Sequence, residues 1–224
     1  MGQTTKTGLT KLNIINQALS LIGSERVQLS AINDTGSIAE QALLHYDPAA
    51  QELTRMHAWN CCLHRVSLSE GDGADAALSF AHDYNYPADA HRIIYISKVN
   101  SKETVKPKID FAVTTAVNSS ATVKNIQTDI NATNIYAQYL DVPDEADMDM
   151  MYVSCLRTLL ASKLAVPVAG DVNRKFELLK YFYEKLLPEA RRANTMEGVN
   201  EPAVDESYLE TPMSPFTYKA FSKV

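Results

Sequence analysis

The chain has 224 residues, 46% of them hydrophobic, and a formal net charge of -6. That size and apolar content allow one large domain or two small ones and exclude wholesale disorder. An acidic balance whose longest basic cluster is Arg191-Arg192 argues against a dedicated nucleic-acid binder.

In chain order, the periodicity predicts a first helix from about Leu9 to Ile22. Thr10 is its cap, Leu12, Ile15, Leu19 and Ile22 its buried stripe, and Gly23 its stop. Val27 and Leu29 lie in a short connection. The stretch Asp34 to Leu68 reads as one long helical arm running into the segment with the only tryptophan. Ser37 and Glu40 have capping-box spacing. Ile38, Leu44, Ala49, Leu53 and Met56 make one stripe. Pro48 predicts either a kink or a restart capped by Asp47. Trp59 is expected beneath the arm, with His57 bonding a helix-end carbonyl.

Residues 69–75 read as a surface turn. The run Arg92 to Val99 is rich in β-branched and aromatic residues and predicts a strand. Lys108 to Val113, Ala121 to Ile126 and Asn134 to Leu140 are further strand candidates. Without crossover helices between them, they predict one small antiparallel sheet. A helix is expected from Val142, with Pro143 at its first position and Asp144, Glu145, Asp147 and Asp149 favouring its dipole. Its stripe is Met148, Tyr152, Cys155 and Leu159, widened by Met151, Leu156, Leu160 and Leu164. Pro167 is expected to end it. Gly170 then turns the chain and Asp171 caps an antiparallel partner helix whose core face is Phe176, Leu179, Phe182, Tyr183 and Leu186, with a kink at Pro188. Beyond Met196 the helical period stops, yet Tyr208, Leu209, Met213, Phe216, Tyr218 and Phe221 keep the segment aromatic, which reads as an arm on a partner or on its own domain.

The reading is thus α+β and mainly helical: an antiparallel helix bundle with an inserted small antiparallel β-sheet and an extended C-terminal arm. Its boundaries are 1–68 and 142–196 for the helices, 69–141 for the β-rich insertion and 197–224 for the arm. Trp59, Tyr86, Pro87, Tyr152 and Phe176 are the expected structural core.

Chemistry is sparse. No dinucleotide, phosphate-loop, serine-hydrolase or zinc-protease motif is present. Cys61, Cys62 and Cys155 have neither disulfide-scaffold nor CxxC spacing and read as small buried apolar residues. His57 and His64 would share a face only if the helix continued, and no third ligand is spaced with them. The acids from Asp144 to Asp149 could be imagined as a glycosidase carboxylate pair, but the helix dipole explains them more simply. No cofactor, metal or catalytic residue is expected. The N-terminus lacks the apolar core of a signal peptide, no run is judged long enough to cross a membrane, and folding in a reducing cytoplasm is expected.

The ordered phrases Leu21-Ile22-Gly23, His45-Tyr46-Asp47-Pro48, Met56-His57-Ala58-Trp59-Asn60, Tyr84 through Ile93, and Leu160-Ala161-Ser162-Lys163-Leu164-Ala165 carry a resemblance. Over roughly Leu9 to Glu197 the chain resembles the tail tubular protein A family of short-tailed bacteriophages, adaptor rings between portal and tail nozzle. Family members often have a Cys where this chain has Ala90. The resemblance implies a homo-oligomeric ring, a dodecamer, that binds the portal protein and a nozzle protein similar to tail tubular protein B. DNA would pass through it without sequence-specific binding. It further implies a virion tail component assembled in the host cytoplasm, with no enzymatic activity. Tyr208, Met213, Phe216, Tyr218 and Phe221 would dock on a neighbour. The alternatives are a tail-associated cell-wall glycosidase and a non-viral oligomeric scaffold.

Overall fold

The computed structural model describes residues 8–23, 28–32, 36–71, 80–98, 109–118, 121–130 and 135–197. Among them the fold is mixed α+β, with its helices gathered at both ends of the described chain and two small antiparallel sheets between them. Tyr208, Met213, Phe216, Tyr218 and Phe221, expected to dock on a neighbour, lie outside the described residues.

Helix α1 spans Lys11–Leu21, and the Thr10 hydroxyl accepts the Asn13 amide at 3.3 Å as its cap. Ile14, Ile15, Ala18 and Leu19 are buried, and the chain turns away through Gly23 at φ 78. Helix α2 spans Ser37–Met56. Gly36, not Ser37, is its N-cap, and no side chain caps it. Because the Glu40 amide already bonds the Gly36 carbonyl at 3.1 Å, Ser37 falls inside the helix and the expected capping box does not form. Pro48 neither stops nor restarts α2. Pro48 and Leu44 share the exposed face, so the ring displaces no core side chain and the Leu44 carbonyl it frees can be hydrated. Leu44, expected in the stripe, is 63% exposed. The buried face is instead Ala39, Ala42, Tyr46, Ala49, Ala50 and Leu53, whose alanines let a neighbouring backbone come close.

The arm ends at Met56. Asn60–Cys62 forms one 3-10 turn and β1, Leu63–Ser67, follows inside the segment read as helical. The other strands are β2 His82–Asn85, β3 Arg92–Ser97, β4 Ala112–Asn118, β5 Ala121–Thr128 and β6 Tyr136–Leu140. They form two three-stranded sheets, β1-β6-β3 and β2-β5-β4, rather than one. All pairings are antiparallel, with Val66 opposite Ala137, Ile96 opposite Ala137 and Tyr84 opposite Ile126. Strand β4 begins where the candidate Lys108 to Val113 was expected to end. The two sheets share a core of their own, with Ile93, Ile96 and Ala137 from one and Tyr84 and Ile126 from the other.

Helix α3, Met150–Ala169, is the centre of the helical half. It starts later than Val142 because Asp149 is its cap: one carboxylate oxygen accepts the amides of Met151 at 2.7 Å and Tyr152 at 3.3 Å. Pro143 is therefore outside the helix. Pro167 lies within its last turns, on an exposed side, and the stop comes at Gly170, φ 65. Eleven of its twenty residues are buried. By length and composition α3 could cross a membrane, which corrects the expectation that no run could; 61% of that apolar window is buried inside this fold. Helix α1, α2, α4 (Val172–Tyr181) and α5 (Leu187–Glu197) all pack against it, which is why it is apolar all round. Between α4 and α5, Phe182–Leu186 is a π-helical turn in which the Leu187 amide bonds the Phe182 carbonyl. That widening sits immediately before Pro188, whose ring would otherwise crowd the preceding turn.

Candidate functional site

The joint after α2 gathers the chain's only tryptophan, a histidine and two polar residues of α5. Trp59 is 1% exposed and its indole N–H donates to the Leu53 carbonyl at 2.9 Å. Its ring meets Tyr152 edge-on at 5.6 Å and His57 edge-on at 5.1 Å. Tyr152 bonds the Thr54 hydroxyl at 2.8 Å and donates to the Ala50 carbonyl at 3.2 Å, tying α3 to α2. Burial raises the Tyr152 phenol above its ordinary range. His57 does not make the helix-end carbonyl bond expected of it. Its Nε2 lies 3.2 Å from Asn194 Nδ2 on α5, while Arg191 Nη2 donates to the Met56 carbonyl at 2.9 Å. Asn194 also accepts the Asn60 amide at 2.8 Å. Arg191, read from sequence as part of a weak basic cluster, is thus the cation that closes the end of α2. Burial, and then the Arg191 charge, lower the His57 pKa.

The acid segment comes apart on inspection. Asp149 is committed to capping α3, and Glu145 accepts the Tyr46 hydroxyl at 3.3 Å. Burial, followed by the Glu145 charge, pushes the Tyr46 phenol up. Asp144 and Asp147 are exposed and share a backbone turn, the Asp147 amide bonding the Asp144 carbonyl at 2.9 Å. His64 sits on β1, not on a helical face with His57. Among the described residues no group of three or more His, Cys, Asp or Glu is placed to hold a metal ion.

The other residues expected in the core differ in burial. Tyr86 and Pro87 are half-buried at the end of β2, where Lys124 Nζ lies 5.6 Å over the Tyr86 ring. Phe176, expected in the core, is 63% exposed, and Tyr183 is 50% exposed. Phe182 and Leu186 of the expected face are buried, in the π turn that follows α4, and on α4 itself the buried residue is Leu178.

That correction uncovers a surface. Val172, Phe176, Leu179 and Tyr183 are spaced four, three and four residues apart, so they form one apolar seam along α4 and into the π turn after it. Val172 is 51% exposed and Leu179 half-buried. A cleft of about 400 Å³ between α2, α3 and α4 borders the seam at Leu179 and Tyr183, and the Glu52–Lys163 ion pair, 2.7 Å, forms part of its wall. Such a seam, rimmed by Lys175 and Lys180, is suited to contact with another protein rather than to bond-making chemistry. The sequence showed the four-three-four spacing; it did not show which side of α4 faced α3. No protein-family model matches the chain, and no curated protein matches it either.

Proposed function

We propose that the chain is a structural adaptor subunit of a short bacteriophage tail. It joins the portal to the tail nozzle as one copy in a homo-oligomeric ring and forms part of the DNA ejection channel. In this reading the helices are an antiparallel bundle, the two sheets are its insertion, and residues 197–224 are an arm that docks on a neighbour. The adaptor works in the virion tail, is assembled in the host cytoplasm and performs no catalysis. An acidic net charge of -6 suits a conduit, since each Lys or Arg contact would add salt-dependent grip on passing phosphates.

The observation that carries the reading is the apolar seam on α4, which leaves Phe176 63% exposed. Water-exposed aromatic and aliphatic side chains at coiled-coil spacing are covered at low cost by another protein surface. The resemblance carried by the phrases between Leu21 and Ala165 supports a phage tail as the assembly. A non-viral scaffold would use the same seam, so the test must include the portal. Light scattering and negative-stain imaging of the purified chain, alone and with portal, should show a ring, free or capping the portal. A monomer indifferent to portal overturns the proposal, and a ring that ignores portal favours the scaffold.

A further inference from the structure

Cys61 and Cys62 stand next to each other in the 3-10 turn that joins α2 to β1, and their Sγ atoms are 3.9 Å apart. Cys61 is half-buried and Cys62 is buried. Behind them, Cys62 Sγ lies 3.9 Å from the Thr54 hydroxyl. Adjacent cysteines can point apart; these two converge, and one of them reaches the surface.

The spacing discriminates between two dithiol chemistries. A disulfide needs its sulfurs at about 2.05 Å, so closing one here would require the turn to deform. Two sulfurs bound to a single pyramidal trivalent centre through bonds of about 2.3 Å, at angles of about 100°, stand about 3.5 Å apart. The observed 3.9 Å lies within about half an ångström of that, so a small side-chain rotation closes the second case, whereas the first needs the sulfurs to approach by about 2 Å. A bare metal ion would want further ligands, and among the described residues no third Cys, His, Asp or Glu completes a group with this pair. A trivalent centre that brings its own organic substituent needs only the two sulfurs.

We propose that Cys61 and Cys62 form a two-sulfur chelating site for a soft trivalent centre, of the class represented by mono-organic arsenicals. Cys61 is the entry sulfur because it is the accessible one. The hydrogen bond from Cys62 also holds the Cys61 thiol below its ordinary range, which favours the attacking thiolate. The reaction is a condensation. An R–As(OH)₂ group meets two thiols; two S–H and two As–O bonds break, two As–S bonds form, and two waters leave. No electrons are transferred.

The probe is phenylarsine oxide, added to the native full-length chain and followed by intact mass and by mapping of the cysteines that become protected from alkylation. One arsenical per chain is expected. It should survive a wash with excess monothiol and be removed by a small dithiol. Cys61 and Cys62 should be protected, while Cys155, which is buried elsewhere on α3, should not change. Cys61→Ser and Cys62→Ser should each lose monothiol-resistant retention, and Cys155→Ser should keep it. Retention by Cys62→Ser equal to that of the wild type would show a one-sulfur adduct and overturn the proposal. So would a wild-type chain that protects neither cysteine; this arm needs no variant and does not depend on how the variants fold.

Discussion

Trp59 is held by packing and by one hydrogen bond, and the two can be separated by substitution. Trp59→Ala removes both and should cost about 3–5 kcal/mol of unfolding free energy. Trp59→Phe keeps most of the packing but leaves the Leu53 carbonyl without its indole donor, and should cost less. Urea titrations of the three proteins give the comparison; a loss below about 1 kcal/mol for Trp59→Ala would mean that the site collapses around the missing ring. His57 supplies a pH dependence. Its folded pKa lies below its unfolded value of about 6.5, so the unfolded chain takes up the proton first. Its stabilising share is therefore complete above about pH 6.5 and is lost as pH falls through the folded value. Protonation would also turn the nitrogen facing Asn194 Nδ2 into a second donor. His57→Gln should flatten the fall in urea midpoint on the acid side of that window; an unchanged slope would move the dependence to other groups. The burial of Trp59 was legible from its place after an amphipathic run. Its partner Tyr152 and the latch from Arg191 and Asn194 were not, since they come from positions about 90 and 130 residues away.

At the scale of elements, what was legible was local. Thr10 and Asp171 cap the helices they precede, and Gly170 turns the chain, because a cap needs only a side-chain oxygen and its next few amides. Gly170 adopts φ 65, and an added Cβ there would meet nothing within 4 Å. Gly170→Ala should therefore lose only the backbone term, about 1–2 kcal/mol, seen as a lowered thermal midpoint with unchanged oligomeric state. Asp149→Ala removes both capping bonds of α3 and should cost about 0.5–2 kcal/mol in the same assay. Pro48 does not restart α2 and Pro167 does not end α3 for one shared reason: both sit on exposed faces, where burial of the opposite face outweighs a missing hydrogen bond. Pro188 follows a π turn that accommodates its ring. Strand β1 was missed because Leu63 to Ser67 is short and mixed in polarity; it is extended because β6 pairs along its whole length.

For the whole molecule the deciding question is which apolar surface is inside. Phe176→Ser should leave monomer stability within about 0.5 kcal/mol, since the ring touches mainly solvent. It should nevertheless lower the mass of any assembly that uses the seam; an unaltered assembly would remove α4 from the subunit contact. Sequence by itself determined the helix-rich mixed fold, the caps at Thr10 and Asp171, the turn at Gly170, and the presence of apolar residues at helical spacing on α4, because each depends on neighbours within a few positions. Tertiary structure alone decided that the strands divide into two sheets, which helices surround α3, and that Phe176 faces outward while Leu178 is buried. Periodicity states that a helix has an apolar side, but a helix with two such sides can bury either, and the choice is made by the volume that α3 leaves to be filled.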